Sequence, residues 1–404
     1  MRFFYSIYHY LLSWAGAVVY RFPSKHIYVI GVTGTKGKTT TIALLDHVFR
    51  AAGFSVASLS SASVRIGDSV HKNMTGNSMP GRFFIQRFLH QAVQAGCSYA
   101  FLEVTSQGVV QHRHRHIFWK GVAFVGIHPE HIESHGSFEN YLAAKASFFS
   151  YAATHARKGA AAFVYAQDAY KNHFVAAASP LPVELFSPNV MSDDALAETL
   201  QSPFGKIHAA CAQAIAVHEK IETPVIADAL RSFPGVSGRM EFIVRTPFSV
   251  VVDYAHTPES LEALYQFLKK RYVASGKKLI CLLGSAGGGR DAWKRQKFGA
   301  IAAQYGDFIF LTNEDPYDED PEAILDAVHE GVPSVYPSDQ VRIIIDRREA
   351  IAAALQLANP GDVVVLSGKG SERWIHGAHG KKFPWSEADE VRRALASCAP
   401  PIHN

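Results

Sequence analysis

The residues with the clearest chemistry run from Gly31 to Thr40, GVTGTKGKTT, where glycines alternate with lysines and threonines. An apolar run, Ile27 to Ile30, precedes them and an apolar-periodic stretch, Ile42 to Phe49, follows. That order predicts strand, glycine-rich turn, helix. Such a turn aims backbone N–H groups and a helix N-terminus at one spot, which suits a polyphosphate. Gly34, Thr35, Lys36, Gly37, Lys38, Thr39 and Thr40 are therefore candidate nucleotide ligands. Lys38 is placed to reach the terminal phosphates, and Thr39 to put a hydroxyl on Mg²⁺. Val32 stands where the pattern G-x-x-x-x-G-K-[ST] has its first glycine, so Gly34 leaves a tighter loop. The expected ligand is ATP or something close to it.

Other reactive residues lie just past apolar runs, where open α/β sheets collect ligands. Glu103 follows Ser98 to Leu102 and could hold Mg²⁺; its plain alternative is a helix cap. The stretch His128 to Gly136 is dense in His and Glu and reads as a metal or phosphate site. Lys145 lies on a helix expected to start at an N-cap, Ser137, and to face the core with Tyr141, Ala144, Phe148 and Phe149. Spacing alone leaves Lys145 in solvent. Asp253 follows a valine strand and could meet ribose hydroxyls or a metal-bound water. The loop Gly284 to Asp291, with Arg290, Lys294 and Arg295 close behind, reads as an anion cradle, and His112 to His116 as the lining of an anionic site.

The elements that must position these groups alternate between strand-like and helical runs, which predicts α/β units with parallel sheets. At 404 residues, two or three domains are expected. The turn-rich segment Phe233 to Arg239 marks a boundary. A net charge of +4 is too small to point to nucleic acid. Four dispersed cysteines, with no C-x-x-C pair, argue against a zinc ribbon or a disulfide framework and fit a reducing cytoplasm. Phe3 to Tyr20 has no formal charge but carries Ser6, His9 and Ser13. We expect a helix docked on the body there, with peripheral membrane contact and a true span as the alternatives.

The pattern as a whole resembles the Mur ligase family, closest to the branch of UDP-MurNAc-tripeptide synthetases that add the third amino acid to a muramyl peptide. The resemblance rests on GVTGTKGKTTT (31–41), EVTSQGVVQHR (103–113), PEHIESHGSFENYLAAKASFF (129–149), GRMEFI (238–243), DYAHTPESL (253–261), GGGRD (287–291), EDPYDEDP (314–321) and SGKGSER (367–373). It implies a central ATP-binding domain (25–237) of P-loop type with a parallel-rich sheet, and a C-terminal Rossmann-like α/β domain (238–404). An aromatic helix (1–24) stands in place of the family's N-terminal UDP-binding domain. The family fold implies a nucleotide between the two domains.

By the same resemblance Lys38, Lys145 and His131 are catalytic, and Thr39, Glu103, His131 and a carbamylated Lys145 hold metal. His208, Arg239 and Asp253 serve the nucleotide. Thr75, Thr105, Gln111 and Arg113 hold the muramyl-peptide substrate, and Arg290, Asp315, Gly368 and Glu372 grip the incoming amino acid. Several positions depart from the family pattern: Gly126, Glu130, Gln107, Gly205, His208 and Ser371. Tyr317 replaces an arginine that reads diaminopimelate, which points to lysine or ornithine instead.

The implied activity is an ADP-forming, ATP- and Mg²⁺-dependent amide ligase in peptidoglycan precursor synthesis, acting in the cytoplasm as a monomer. The alternatives are a related ligase for another carboxylate, such as a folate, a polyglutamate or a lipid-linked peptide, and a non-catalytic protein of the same fold.

Overall fold

The computed structural model describes residues 2–130, 132–289 and 291–398. The chain forms two compact units, Met1–Pro234 and Gly235–Asn404. In the first, α1 (Arg2–Val19) leads into β1 (Tyr28–Thr33), α2 (Lys38–Ala51), β2 (Val56–Leu59), β3 (Ser63–Ile66), β4 (Ser69–Lys72), α3 (Arg82–Gln94) and β5 (Tyr99–Glu103). There follow α4 (Ser106–Val110), β6 (Trp119–Phe124), α5 (Ile132–His135), α6 (Phe138–Thr154), β7 (Ala156–Tyr165), α7 (Lys171–Ala177), β8 (Val183–Phe186), α8 (Pro203–His218) and α9 (Thr223–Arg231). The sheet order is β4-β3-β2-β5-β1-β6-β7-β8, parallel from β2 to β8.

Parallel strands covered on both faces must be apolar throughout. β5 is accordingly buried along its whole length, and β1 and β6 nearly so. Trp119, Val122, Phe124, Phe148 and Phe149 form part of one core cluster. α6 starts as its sequence predicts, with the Ser137 side chain accepting from the Asn140 N–H.

The second unit contains β9 (Glu241–Val244), β10 (Ser249–Val252), α10 (Pro258–Tyr272), β11 (Leu279–Leu283), α11 (Arg295–Tyr305), β12 (Phe308–Leu311) and α12 (Pro321–His329). It continues with β13 (Val341–Ile343), α13 (Arg347–Leu357), β14 (Val363–Leu366), the hairpin β15 (Trp374–His376) and β16 (Lys382–Pro384), and α14 (Glu387–Cys398). The main sheet runs β13-β12-β11-β14-β10-β9, and only β9 is antiparallel. Side chains alternate across a strand: Val251 joins one hydrophobic cluster and Val250 and Val252 the other, so the sheet is covered on both faces. Thr257 and Ser260 cap α10 reciprocally, with Pro258 in its first turn.

α1 packs on α3 and buries Ser13 and Ala17. No helix among the described residues is long and apolar enough to cross a membrane. For the three histidines of the run His112 to His116 the anion-site reading is corrected. The run folds into a tight turn, with positive φ at His112 and His116, and serves as a packing surface. His114 is buried edge-on to Tyr151 and Phe148; burial, then Arg115, pushes its pKa down to about 3. His112 lies 2.8 Å from the Ser6 hydroxyl, and its pKa falls to about 4 for the same two reasons. His116 meets the Tyr10 ring. Imidazoles held neutral in this way suit packing better than anion binding.

Candidate active site

β1 ends at Thr33 and α2 begins at Lys38, so the glycine-rich turn spans 34–37. Gly37 precedes the helix with φ +82°, and a Cβ there would lie 1.8 Å from His208 Nε2. Only glycine fits. No side chain caps α2, and a helix start of this kind offers its first-turn N–H groups to an anion. Thr40 continues that first turn. Lys38 Nζ donates to the carbonyls of Gly34 (2.9 Å) and Thr35 (3.0 Å).

Lys145, from α6, donates to the same Gly34 carbonyl at 2.8 Å, above the Tyr141 ring. The solvent-exposed reading of Lys145 is thereby corrected: the side chain is 1% exposed. Burial, then the charge of Lys38, pulls its pKa well below the usual lysine value, with Glu130 partly opposing. The neutral amine this favours is the form that adds CO₂.

Beside this pair, Thr39 Oγ1 donates to Glu103 Oε1 at 2.7 Å, and the same carboxylate oxygen accepts the Ser61 N–H at 2.8 Å. Glu103 ends β5 opposite Val32 and is buried. The helix-cap alternative fails, because Thr105 caps α4. Two hard oxygens beside a phosphate-binding turn fit Mg²⁺, which takes one or two protein ligands and completes its shell with phosphate and water. Among the described residues, which leave out His131, no group of three or more His, Cys, Asp or Glu could hold a metal ion.

The segment after β6 braces the turn. Thr35 Oγ1 accepts from the His128 N–H at 3.0 Å and lies 3.0 Å from the Tyr141 hydroxyl. Lys36 pairs with buried Glu130 at 3.0 Å. Asp168, buried, accepts from the Ile127 N–H. His135 lies 3.0 Å from Ser106 Oγ, and burial, then Lys145, lowers its pKa. His131 falls outside the described residues.

Four predicted substrate residues occupy neighbouring turns. Thr75 hydrogen-bonds Asn73, whose amide donates to the Ser60 carbonyl, one residue from the Ser61 that serves Glu103. Thr105 accepts from the Gly108 N–H. Arg113 bonds Gln111 at 2.6 Å and the Met79 carbonyl.

In the second unit the predicted residues gather past the carboxyl ends of β10, β12 and β14. Arg239 lies over the Tyr254 ring, Asp253 accepts from the Met240 N–H, and Tyr254 donates to Glu372 at 2.7 Å. At the centre is Lys369, fully buried, which donates to Asp315 (2.8 Å), Glu372 (2.7 Å) and the Trp374 carbonyl. Gly368 has φ +100°, and a Cβ there would lie 2.4 Å from Glu314 Oε2. The buried Glu314 carboxyl is pushed up to about 7, chiefly by burial, with Lys369 opposing and Asp315 adding to it.

Two of the three cations read with the 284–291 loop are internally paired, Lys294 with Asp291 and Arg295 in a two-point fork with Glu319, so neither is a free charge for an anion cradle. Arg290 falls outside the described residues. Sequence reasoning missed Asp168, gave no role to Glu314 or Lys369, placed Tyr141 only among the core-facing residues of its helix, and reached His135 only as part of the stretch His128 to Gly136. For Lys369 the available signal was a lysine between two glycines just past a buried apolar run, in Ser367-Gly368-Lys369-Gly370.

A glycine-rich turn and uncapped helix start on one parallel-rich sheet, followed by a second α/β unit with a charged cluster past its strand ends, suit an enzyme that handles phosphate. The Mur ligase middle domain matches residues 32–228, and the Mur ligase glutamate ligase domain matches 238–370. The UDP-N-acetylmuramoyl-L-alanyl-D-glutamate–2,6-diaminopimelate ligase of Trichormus variabilis is 34% identical, over 94% of this chain and 79% of its own length. The UDP-N-acetylmuramyl-tripeptide synthetase of a Roseiflexus species is also 34% identical, over 94% and 81%. A solved diaminopimelate ligase superposes with TM-score 0.60 at 25% identity, covering 92% of this chain and 78% of that one. The Mycobacterium tuberculosis folylpolyglutamate synthase complexed with ADP and AMPPCP shares the fold, with TM-score 0.69 at 16% identity over 89% and 92%. The chain belongs to the Mur ligase family.

Proposed function

We propose that this enzyme joins an amino acid to the carboxylate of a muramyl peptide, with ATP converted to ADP and phosphate. One observation carries the reading: Lys38 and Lys145 converge on the Gly34 carbonyl beside the Thr39–Glu103 pair, at the start of α2. The substrate carboxylate attacks the γ-phosphorus and ADP leaves. The amine then attacks the acyl carbon, loses a proton and expels phosphate.

Lys38 and the first turn of α2 hold the transferring phosphates, where fixed positive charge is most effective. Thr39 and Glu103 would hold Mg²⁺, which would supply further positive charge there. Lys145 adds CO₂ and releases a proton, becoming a carbamate that carries negative charge where the amine stood. The family resemblance makes His131 a further residue that would hold the metal. His208, Arg239 and Asp253 serve the nucleotide, and Thr75, Thr105, Gln111 and Arg113 the muramyl peptide.

Arg290, Asp315, Gly368 and Glu372 receive the amino acid. Tyr317, stacked on His376, brings no cation to this segment, and Asp318 stands beside it. A side chain ending in an amine therefore fits better than a second carboxylate. The related ligases that name diaminopimelate make that acid the comparison to run. We place the enzyme in the cytoplasm, in keeping with its use of ATP and with the free buried thiols of Cys97, Cys211 and Cys281.

Phosphate release and amide formation, measured across muramyl dipeptides with and without the UDP group and across amino acids, test the reading. We expect turnover that needs both substrates, and a higher kcat/KM for L-lysine or L-ornithine than for meso-diaminopimelate. Lys38→Ala should abolish it. Lys145→Ala should lose at least ~100-fold and recover part with added short carboxylates. Near-parental turnover in Lys38→Ala refutes the site, and turnover only with folates or polyglutamates refutes the substrate.

A further inference from the structure

Helix α1 is amphipathic the wrong way round for a helix packed on a soluble protein. The face it buries is small and polar: Ser13 and Ala17 are 2% and 0% exposed, and Ser6 reaches His112. Residues four, three and four apart share one face of a helix. Ile7, Leu11, Trp14 and Val18 have that spacing, and they are 42%, 53%, 49% and 43% exposed. Tyr5 and Val19, at 61% and 62%, extend the exposed apolar surface toward both ends. Scattered apolar residues on a surface need no explanation, but a continuous stripe does.

The elements that α1 packs against carry charge of one sign. No aspartate or glutamate occurs before Asp46, between Asp68 and Glu103, or between Glu103 and Glu130. Those three stretches supply α1, the α3 helix on which it packs, and the 111–116 turn beneath it. They carry exposed Arg21, Lys25 and Arg87, and Arg115 lies against the Tyr10 ring. Trp and Tyr with aliphatic neighbours favour the boundary between lipid headgroups and acyl chains, and surrounding cations add attraction to anionic lipid. α1 is not long and apolar enough to span. It also precedes the part of the chain that the Mur ligase domains match, so the family's chemistry does not account for it.

We propose that α1 is a peripheral membrane anchor, lying along an anionic lipid surface with Ile7, Leu11, Trp14 and Val18 in the headgroup–acyl boundary. Serine, glycine and alanine on the inner face let the helix sit close on the body while its bulky side chains stay available outside. A second copy of the chain is the competing occupant, but two faces flanked by Arg21, Lys25 and Arg87 would repel each other, whereas an anionic bilayer would neutralise them.

Flotation of the full chain with phosphatidylglycerol–phosphatidylcholine vesicles and with phosphatidylcholine vesicles tests this. The parent should bind the anionic vesicles roughly tenfold more tightly, lose most of that preference at about 0.5 M salt, and shift its tryptophan emission to the blue. Leu11→Glu/Trp14→Glu should abolish flotation while leaving the circular dichroism spectrum and ATP turnover in solution unchanged, because both positions face outward. Trp14→Phe should bind but lose the blue shift. Failure of the parent to float with anionic vesicles overturns the proposal, as does flotation of the double variant at the parent's level. A lipid-independent dimer that the double variant dissolves, seen by sedimentation, assigns the face to a second copy and also overturns it.

Discussion

A carboxyl group buried against other carboxyls holds its proton, and Glu314 is in that position. Its pKa is pushed up to about 7 by burial and by Asp315, against the pull of Lys369. In the unfolded chain it titrates near an ordinary glutamate value, so between those two values the folded state binds more protons. Stability from this group is therefore complete below the unfolded pKa and is lost as pH rises through about 7. Glu314→Gln keeps the shape and cannot ionise. The difference in unfolding free energy between variant and parent should move in the variant's favour from pH 5 to pH 8, by up to ~3 kcal/mol. Denaturant titrations at both pH values measure it, and a pH-independent difference would show that Lys369 keeps Glu314 ionised throughout. The opposite logic acts on Lys145, where burial and Lys38 remove a proton. The two clusters thus hold an acid and a base each biased toward neutrality; the bias of Glu314 was not legible in the sequence, and that of Lys145 was implied by the family resemblance but not by its spacing. Lys145 sits at helical spacing from Tyr141 and Phe149, yet spacing cannot say how wide the buried face of α6 is. Glu314 meets Lys369 only because β12 and β14 both flank β11.

At the scale of elements, strand–turn–helix logic was the most legible part of the chain. The glycines of 31–37, the apolar run before them and the hydroxyls after them set β1, the turn and α2, and Ser137 starts α6 as its residue type predicts. The orientation of α1 was not legible, because hydrophobic periodicity names an apolar face and assumes that it is the inner one. In the structure the inner face holds Ser13 and Ala17. The turn itself makes a sharp prediction. Gly37 combines φ +82° with a contact that leaves no room for a Cβ beside His208. Gly37→Ala adds a left-handed penalty of roughly 1–2 kcal/mol to that clash, and relief would have to come from the start of α2, which positions Lys38 and Thr39. Nucleotide affinity should fall more than global stability does. Isothermal titration with ADP and Mg²⁺, alongside thermal unfolding, separates the two. Unchanged affinity would mean that His208 moves and the turn does not.

At the scale of the whole molecule, each unit closes its own core around its own sheet. Units with separate cores need not unfold together, so a single melting temperature is not guaranteed to describe this chain. We expect calorimetry to show two transitions, and a ligand to raise whichever unit holds it by RT ln(1 + [L]/Kd). If the α2 start is the main phosphate site, ADP with Mg²⁺ at about 100 times its Kd should stabilise the first unit by ~2.7 kcal/mol. Hydrogen exchange read by mass spectrometry assigns the effect, because protection should centre on residues 31–42 and on Ser61 and Glu103, whose hydrogen bonds join the turn to β5. Lys38→Ala should remove the stabilisation and leave the nucleotide-free transitions where they were, since its side chain donates to the loop carbonyls of Gly34 and Thr35 and is not part of a hydrophobic core. Protection confined to residues 239–254 and 368–372 would move the primary phosphate contacts to the second unit and leave the glycine-rich turn without its assigned role.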